Sequence, residues 1–231
     1  MSSVLDEARL PELLSVSVHE FRSPVTVVAG YIRMLLKDRA GALTDQQRKL
    51  LEDAEKSCAR LSSLLGEMSD LSNLEAGKAP FNRSKTDLRP LLAEAIAALP
   101  PVSDRQIEVE LATGAGTAMV NGDAVRLRGA FTSLVHAIRR EVVTSTRLYV
   151  RERVGEYGGK RASWLAIGDA DQIDSLGAAA PETLTTFDEW RGGCGLSLPV
   201  ARRIFAAHGG ALWSPAEKTK SGAVVVLPHA E

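Results

Sequence analysis

The chain has 231 residues, 45% hydrophobic and 25% charged, which excludes a disordered or fibrous protein. Its 28 basic and 29 acidic residues leave a net charge of -1, which offers no electrostatic footprint for a nucleic-acid backbone. No apolar run reaches the roughly 18 residues that cross a bilayer, and the N-terminus lacks a charged-then-apolar leader pattern, so a cytoplasmic protein without a membrane span is expected.

Leu13, Val16, Val27, Val28, Ile32, Leu35 and Leu36 fit an amphipathic helix that ends in a polar turn around Asp38 to Gly41. A second helix is predicted from about residue 44 to 76. Thr44 followed by Gln47 has the pattern of a capping box, and Gly77 and Pro80 mark the stop. Leu50, Ala54, Ser57, Leu61, Leu64, Met68 and Leu71 step by four and three, the period of a coiled-coil seam. One hairpin cannot bury such a stripe alone, so two copies are expected to pair into a dimeric four-helix bundle. This first domain is placed at residues 8–78.

A polar stretch then leads to Asp87, where a second domain, 87–230, begins with a helix near 88–98 that Pro100 and Pro101 end. β-like runs at 107–111, 147–154, 164–169 and 223–228 alternate with helices near 123–142 and 196–208. The predicted class is therefore α+β, a helical hairpin followed by a layered α/β unit. SLGAAAPETLTT, residues 175–186, is small and polar and reads as a mobile loop. Cys58 and Cys194 stand far apart and form no metal-ligand pair, and no metal site is expected from them.

Within the first helix stands HEFRSP, His19 to Pro24. A nucleophilic imidazole toward a phosphoryl group needs an exposed ring nitrogen and a nearby carboxylate to orient the ring and take its other proton, roles suited to His19 and Glu20. Pro24 lacks an N–H, which costs the Glu20 carbonyl its helical partner. The six residues resemble the phosphoacceptor box of bacterial sensor histidine kinases. The resemblance runs from about residue 10 to 228 and implies a dimerisation and phosphoacceptor hairpin followed by a two-layer sandwich of the histidine-kinase ATPase type. It implies phosphorylation of His19, transfer to an aspartate of a response regulator receiver domain, and a helper role for Ser23 in orienting a hydrolytic water.

GGCGLSLPVARRIFAAHGG, Gly192 to Gly210, is similar to the second glycine box of the family's ATP-binding domain, with Gly193, Gly195 and Leu196 as phosphate-side candidates. The alternative is a glycine-rich lead into a packing helix with Gly209 and Gly210 closing it. TFDEWR, 186–191, resembles the aromatic box at the end of the ATP lid, with Phe187 and Trp190 either in that role or as core anchors. Asp169 stands where the family's carboxylate meets adenine, or else caps a turn.

The resemblance implies ATP and Mg2+ as cofactors, yet the residues depart from the pattern. An ungapped alignment puts Ser133 and Ala137 at the asparagine positions, and a frame shifted by one offers His136. Ala137 cannot ligate a cation, and an imidazole is a poor substitute for an oxygen ligand to Mg2+. Asp171 and Gln172 replace the first glycine box, adding a carboxylate where phosphates would lie. Three functions remain open: a histidine autokinase, a histidine phosphotransferase whose second domain no longer binds nucleotide, and a pseudokinase scaffold. No sensor segment precedes the hairpin in this sequence, so a signal is expected from a separate sensor protein or a longer chain.

Overall fold

In the computed structural model, residues 3–101, 106–114, 117–142, 145–217 and 221–230 are described. They divide into two compact units, Met1–Ala79 and Pro80–Glu231. None of the described helices is long and apolar enough to cross a membrane.

The first unit is a hairpin of α1 (Ser3–Leu36) and α2 (Asp45–Glu75). The capping box closes as the sequence predicts: Thr44 Oγ1 accepts from Gln47 N, and Gln47 Oε1 accepts from Thr44 N at 3.0 Å. Arg48 staples the turn, donating to the Leu36 carbonyl at 2.9 Å and to both Asp38 carboxylate oxygens at 2.8 and 2.9 Å. At the open end Ser72 Oγ donates to the Pro11 carbonyl at 2.7 Å, so both ends of the hairpin are fixed.

The buried side chains of α2 are Cys58, Leu65 and Ser72, seven residues apart, facing Val18 and Ile32 of α1. The sequence-derived stripe is a different one. Leu50 and Leu61 on it stay exposed, as do Leu13, Val16, Phe21, Val27, Val28, Tyr31 and Met34 on α1. A single hairpin thus uses a narrow seam internally and leaves its broader apolar surface uncovered.

In the second unit, β1 (Ser84–Asp87) pairs antiparallel with β3 (Met119–Gly122). The main sheet has six strands in the order β2-β4-β5-β8-β7-β6. These are β2 (Glu108–Ala112), β4 (Arg147–Tyr157), β5 (Lys160–Gly168), β6 (Leu184–Thr186), β7 (Ala211–Pro215) and β8 (Ala223–Pro228). β2 runs parallel to β4; the other neighbours are antiparallel. Helices α3 (Leu88–Ala97), α4 (Ala124–Glu141) and α6 (Ser197–Ala207) pack together around Phe131 and Phe205, whose rings lie 4.9 Å apart.

The other face of the sheet is covered too. Trp164, Ala162 and Ala166 of β5 and Val224 and Val226 of β8 pack with Ile173 and Leu176 of a short helix, α5 (Ile173–Ala178), and with Tyr157 and Trp213. Consecutive buried positions, Ala162 to Gly168 on β5 and Ala223 to Leu227 on β8, follow from having both faces covered. This corrects the expectation of a mobile loop at 175–186: the segment contributes to α5, a 3-10 turn (Pro181–Thr183) and the edge strand β6. Ile173 and Leu176, one helical turn apart, supply the apolar contact that a composition count dominated by Ala and Gly obscures.

Candidate functional site

His19 sits in the middle of α1, exposed, with Glu20, Ser23 and Pro24 exposed around it. The residue before it, Val18, is buried in the hairpin. Burial of Val18 sets the rotation of α1 and turns the imidazole one position later outward, so an external phosphoryl group can reach it. α1 continues through Pro24, and Thr26 Oγ1 bonds the Arg22 carbonyl at 2.8 Å beside the gap in the backbone ladder.

In the second unit Asp169 is buried just past β5, and its Oδ1 accepts from Asp171 N at 3.2 Å, a turn-capping contact. Gly193 and Gly195 both adopt left-handed backbone, with φ of 58° and 66°, which explains glycine at each. Leu196 is the residue before α6. Its first turn offers fewer donors than a phosphate cradle needs: Ser197 N–H and Oγ both point to the Cys194 carbonyl, and Pro199 has no N–H. At the far end, Gly209 N–H and Gly210 N–H bond the Ala206 and Phe205 carbonyls, as the packing-helix alternative requires.

The asparagine-box positions split. Ala137 is 0% exposed, inside the core. Ser133 and His136 are half-buried. His136 Nδ1 lies 3.3 Å from Arg139 Nη2, and burial together with the Arg139 and Arg140 charges lowers its pKa. The aromatics split likewise: Phe187 is a core anchor, whereas Trp190 is 69% exposed.

The side chain that sequence reasoning missed is Arg191. Its Nε donates to both Glu141 carboxylate oxygens at 2.8 and 3.0 Å, Nη2 also bonds Glu141, and Nη1 reaches Ser214 Oγ and the Gly222 carbonyl, each at 3.2 Å. The guanidinium also stacks over Phe187 at 5.4 Å. Nearby, Glu189 is clasped by Arg202 and Arg203 of α6. Burial alone would raise the Glu189 pKa, but these two arginines outweigh it and hold the carboxyl below its ordinary value. Nothing in the local string FDEWRGG pairs Arg191 with Glu141, fifty residues upstream; only the fold does.

Residues 10–77 match the His Kinase A (phospho-acceptor) domain. The relatives this chain resembles are sensor histidine kinases. The chain is 29% identical over 230 residues to the sensor protein GacS of Pseudomonas syringae pv. syringae, and 28% identical over 214 residues to the histidine-protein kinase BarA of Escherichia coli K12. Those alignments cover 95% and 86% of this chain but 25% and 22% of the relatives. The chain therefore spans about a quarter of their length. Among solved structures, full-length ShkA in complex with AMPPNP is similar over 95% of this chain and 46% of that one, with a TM-score of 0.69 and 24% identity. The Acinetobacter baumannii histidine kinase AdeS is similar over 92% of this chain and 98% of that one, with a TM-score of 0.56 and 16% identity. Both establish the kinase fold, a helical hairpin followed by a mixed α/β sheet domain.

At the would-be nucleotide site the residues are a poor match to Mg2+ and ATP. Ala137 is in the core, His136 faces an arginine, and Asp171 adds negative charge beside Asp169.

Proposed function

We propose that this chain is a phosphate carrier in two-component signalling, acting as a homodimer in the cytoplasm and exchanging a phosphoryl group between His19 and an aspartate of a response regulator receiver domain. The observation that carries the proposal is the exposed HEFRSP box on α1 inside the matched phospho-acceptor domain. In the exchange an imidazole nitrogen of His19 attacks the phosphorus of an aspartyl phosphate. The N–P bond forms, the acyl P–O bond breaks, the aspartate leaves as carboxylate, and the other ring proton passes to Glu20; the reverse returns the group. The exposure of Ser23, one helical turn from His19, supports a role for it in orienting a water in the competing hydrolysis. The uncovered apolar residues of both helices support pairing with a second copy, because each such side chain gains about 1.5–3 kcal/mol on full burial.

A second proposal, autophosphorylation from ATP with Asp169, Gly193, Gly195 and Leu196 at the nucleotide, is supported by the histidine kinases this chain resembles and by the AMPPNP that the similar protein ShkA holds. The poor fit of the site residues favours the carrier over the autokinase. The test incubates the purified chain, and His19→Ala beside it, with γ-labelled ATP and Mg2+ in one arm and with a phosphorylated receiver domain in the other. Acid-labile label from the receiver alone, absent in the mutant, establishes the carrier; label from ATP establishes the autokinase; label from neither refutes both.

A further inference from the structure

We propose that residues 173–193, the stretch that would serve as a nucleotide lid, form instead a fixed wall of the second domain, tied down by arginine contacts, and that this domain takes no Mg2+·ATP. The proposal concerns the second domain alone, so it stands or falls separately from phosphate on His19.

A working lid has to part from the domain to admit its ligand, and segments that do so are the ones with few buried contacts. This one is anchored at separated points, through the buried Ile173, Leu176, Phe187 and Glu189 and through arginine contacts between them. Arg151 of β4 pairs with Asp174 at the start of α5. Arg153, also of β4, donates to the Gly177 and Ala179 carbonyls at 2.7 and 2.9 Å, meeting the negative end of α5, while its guanidinium lies 4.6 Å over Trp164. Leu176 fills a seat made by two glycines: a β-carbon on Gly168 or Gly222 would come within 2.9 or 2.7 Å of its Cδ1. β6 then pairs with β7 through Leu184↔Pro215, Thr185↔Ser214 and Thr186↔Trp213, extending the sheet.

Arg191 closes the far end. All three of its nitrogens are engaged, spanning α4 through Glu141, β7 through Ser214 and the residue before β8 through Gly222. Arg140 meanwhile binds the Gly193 carbonyl at 3.4 Å, drawing the glycine turn toward α4. Opening the segment would strip Ile173, Leu176 and Phe187 from the interior and break a bidentate ion pair that is mostly shielded from water. Ala137 of α4, inside the core, offers no cation ligand to offset that loss.

Hydrogen exchange on the full chain tests this, with and without ATP and Mg2+, for the wild type, Arg191→Ala and Glu141→Gln. The wall predicts that peptides over 173–178 and 184–191 are protected to the same degree as β8 and unchanged by nucleotide. Arg191→Ala is expected to speed exchange at 184–193 by about 10- to 100-fold, the loss of one buried charged hydrogen-bond set, with β5 and β8 unaffected. Glu141→Gln, which keeps an oxygen acceptor, is expected to act in the same direction and less. Calorimetry with ATP and Mg2+ should give no saturable binding up to about 1 mM, the weak end of specific affinity. Rapid wild-type exchange over 173–191, protection gained on adding ATP, or saturable binding overturns the proposal. If Arg191→Ala loosens the whole domain, Glu141→Gln decides: exchange equal to wild type at 184–193 overturns the strap.

Discussion

The two units spend their side chains in opposite ways. The hairpin buries a thin line of residues, Val18, Ile32, Cys58, Leu65 and Ser72, and leaves large apolar groups and His19 on the outside. The second unit turns inward: its sheet is covered on both faces, and Arg89, Arg139, Arg153, Arg191, Arg202 and Arg203 donate to carboxylates and carbonyls of their own domain. A surface kept for others and a surface consumed at home are thus joined in one chain. The comparison teaches where partners can act, because groups already bonded internally are costly to recruit for a ligand.

The sharpest way to break the comparison is at His19. His19→Ala is expected to reduce acid-labile phosphorylation to background whichever donor is used, with the helical circular dichroism signal retained, since the side chain is exposed. Label that persists in the variant would move the chemistry elsewhere.

Next in size is the uncovered stripe. Leu50→Glu with Leu61→Glu should convert a dimer to monomer in sedimentation velocity, each change weakening association by at least about tenfold if the side chain is buried by a second copy. An unchanged sedimentation coefficient would show that this stripe faces water in the assembly.

A smaller effect separates the units by pH. Three of the four histidines, His136, His208 and His229, lie in the second unit with pKa values lowered mainly by burial. His208 is held neutral by its bonding: Nδ1 meets the Ile204 carbonyl at 2.7 Å, and Nε2 accepts from Asp123 N at 3.0 Å. The unfolded chain takes up protons near the ordinary histidine value while the folded one resists. Stability is therefore full above about pH 6.5 and falls as the pH drops from there toward the lowered values. Urea midpoints read from tryptophan emission, which reports the second unit because Trp164, Trp190 and Trp213 all lie there, should drop between about pH 7.5 and 5.5. A flat midpoint would contradict the buried-neutral assignment.

The smallest is at the capping box, where Thr44→Ala should cost the hairpin about 1 kcal/mol, seen as a lower melting temperature. No change would mean that Arg48 carries the turn alone.

Much of the hairpin was legible beforehand because its signals are local. The Thr44 to Gln47 box, the Gly77 stop and HEFRSP each lie within a few residues, and α2 starts and ends within a residue or so of the predicted limits. Which apolar stripe faces α1 was not legible, since α2 carries two stripes one residue apart, and periodicity alone cannot rank Leu50 and Leu61 against Cys58 and Leu65. In the second unit the long apolar strands announced themselves, with β8 found at its predicted limits. β6 and α5 did not, because an edge strand is made by backbone bonds and α5 needs only two apolar anchors. The candidate nucleotide residues were found by motif, and their poor fit was visible at Ala137. The Arg191 to Glu141 pair depends on contacts between distant parts of the chain and has no signature in either string.

β6 also bears on how this protein survives in concentrated solution. It occupies the rim of the sheet with three residues, too short to template another chain, and it covers the longer β7 that would otherwise stand at the border. Three modest residues, Leu184, Thr185 and Thr186, thereby shield this border of the sheet from pairing edge to edge with another chain.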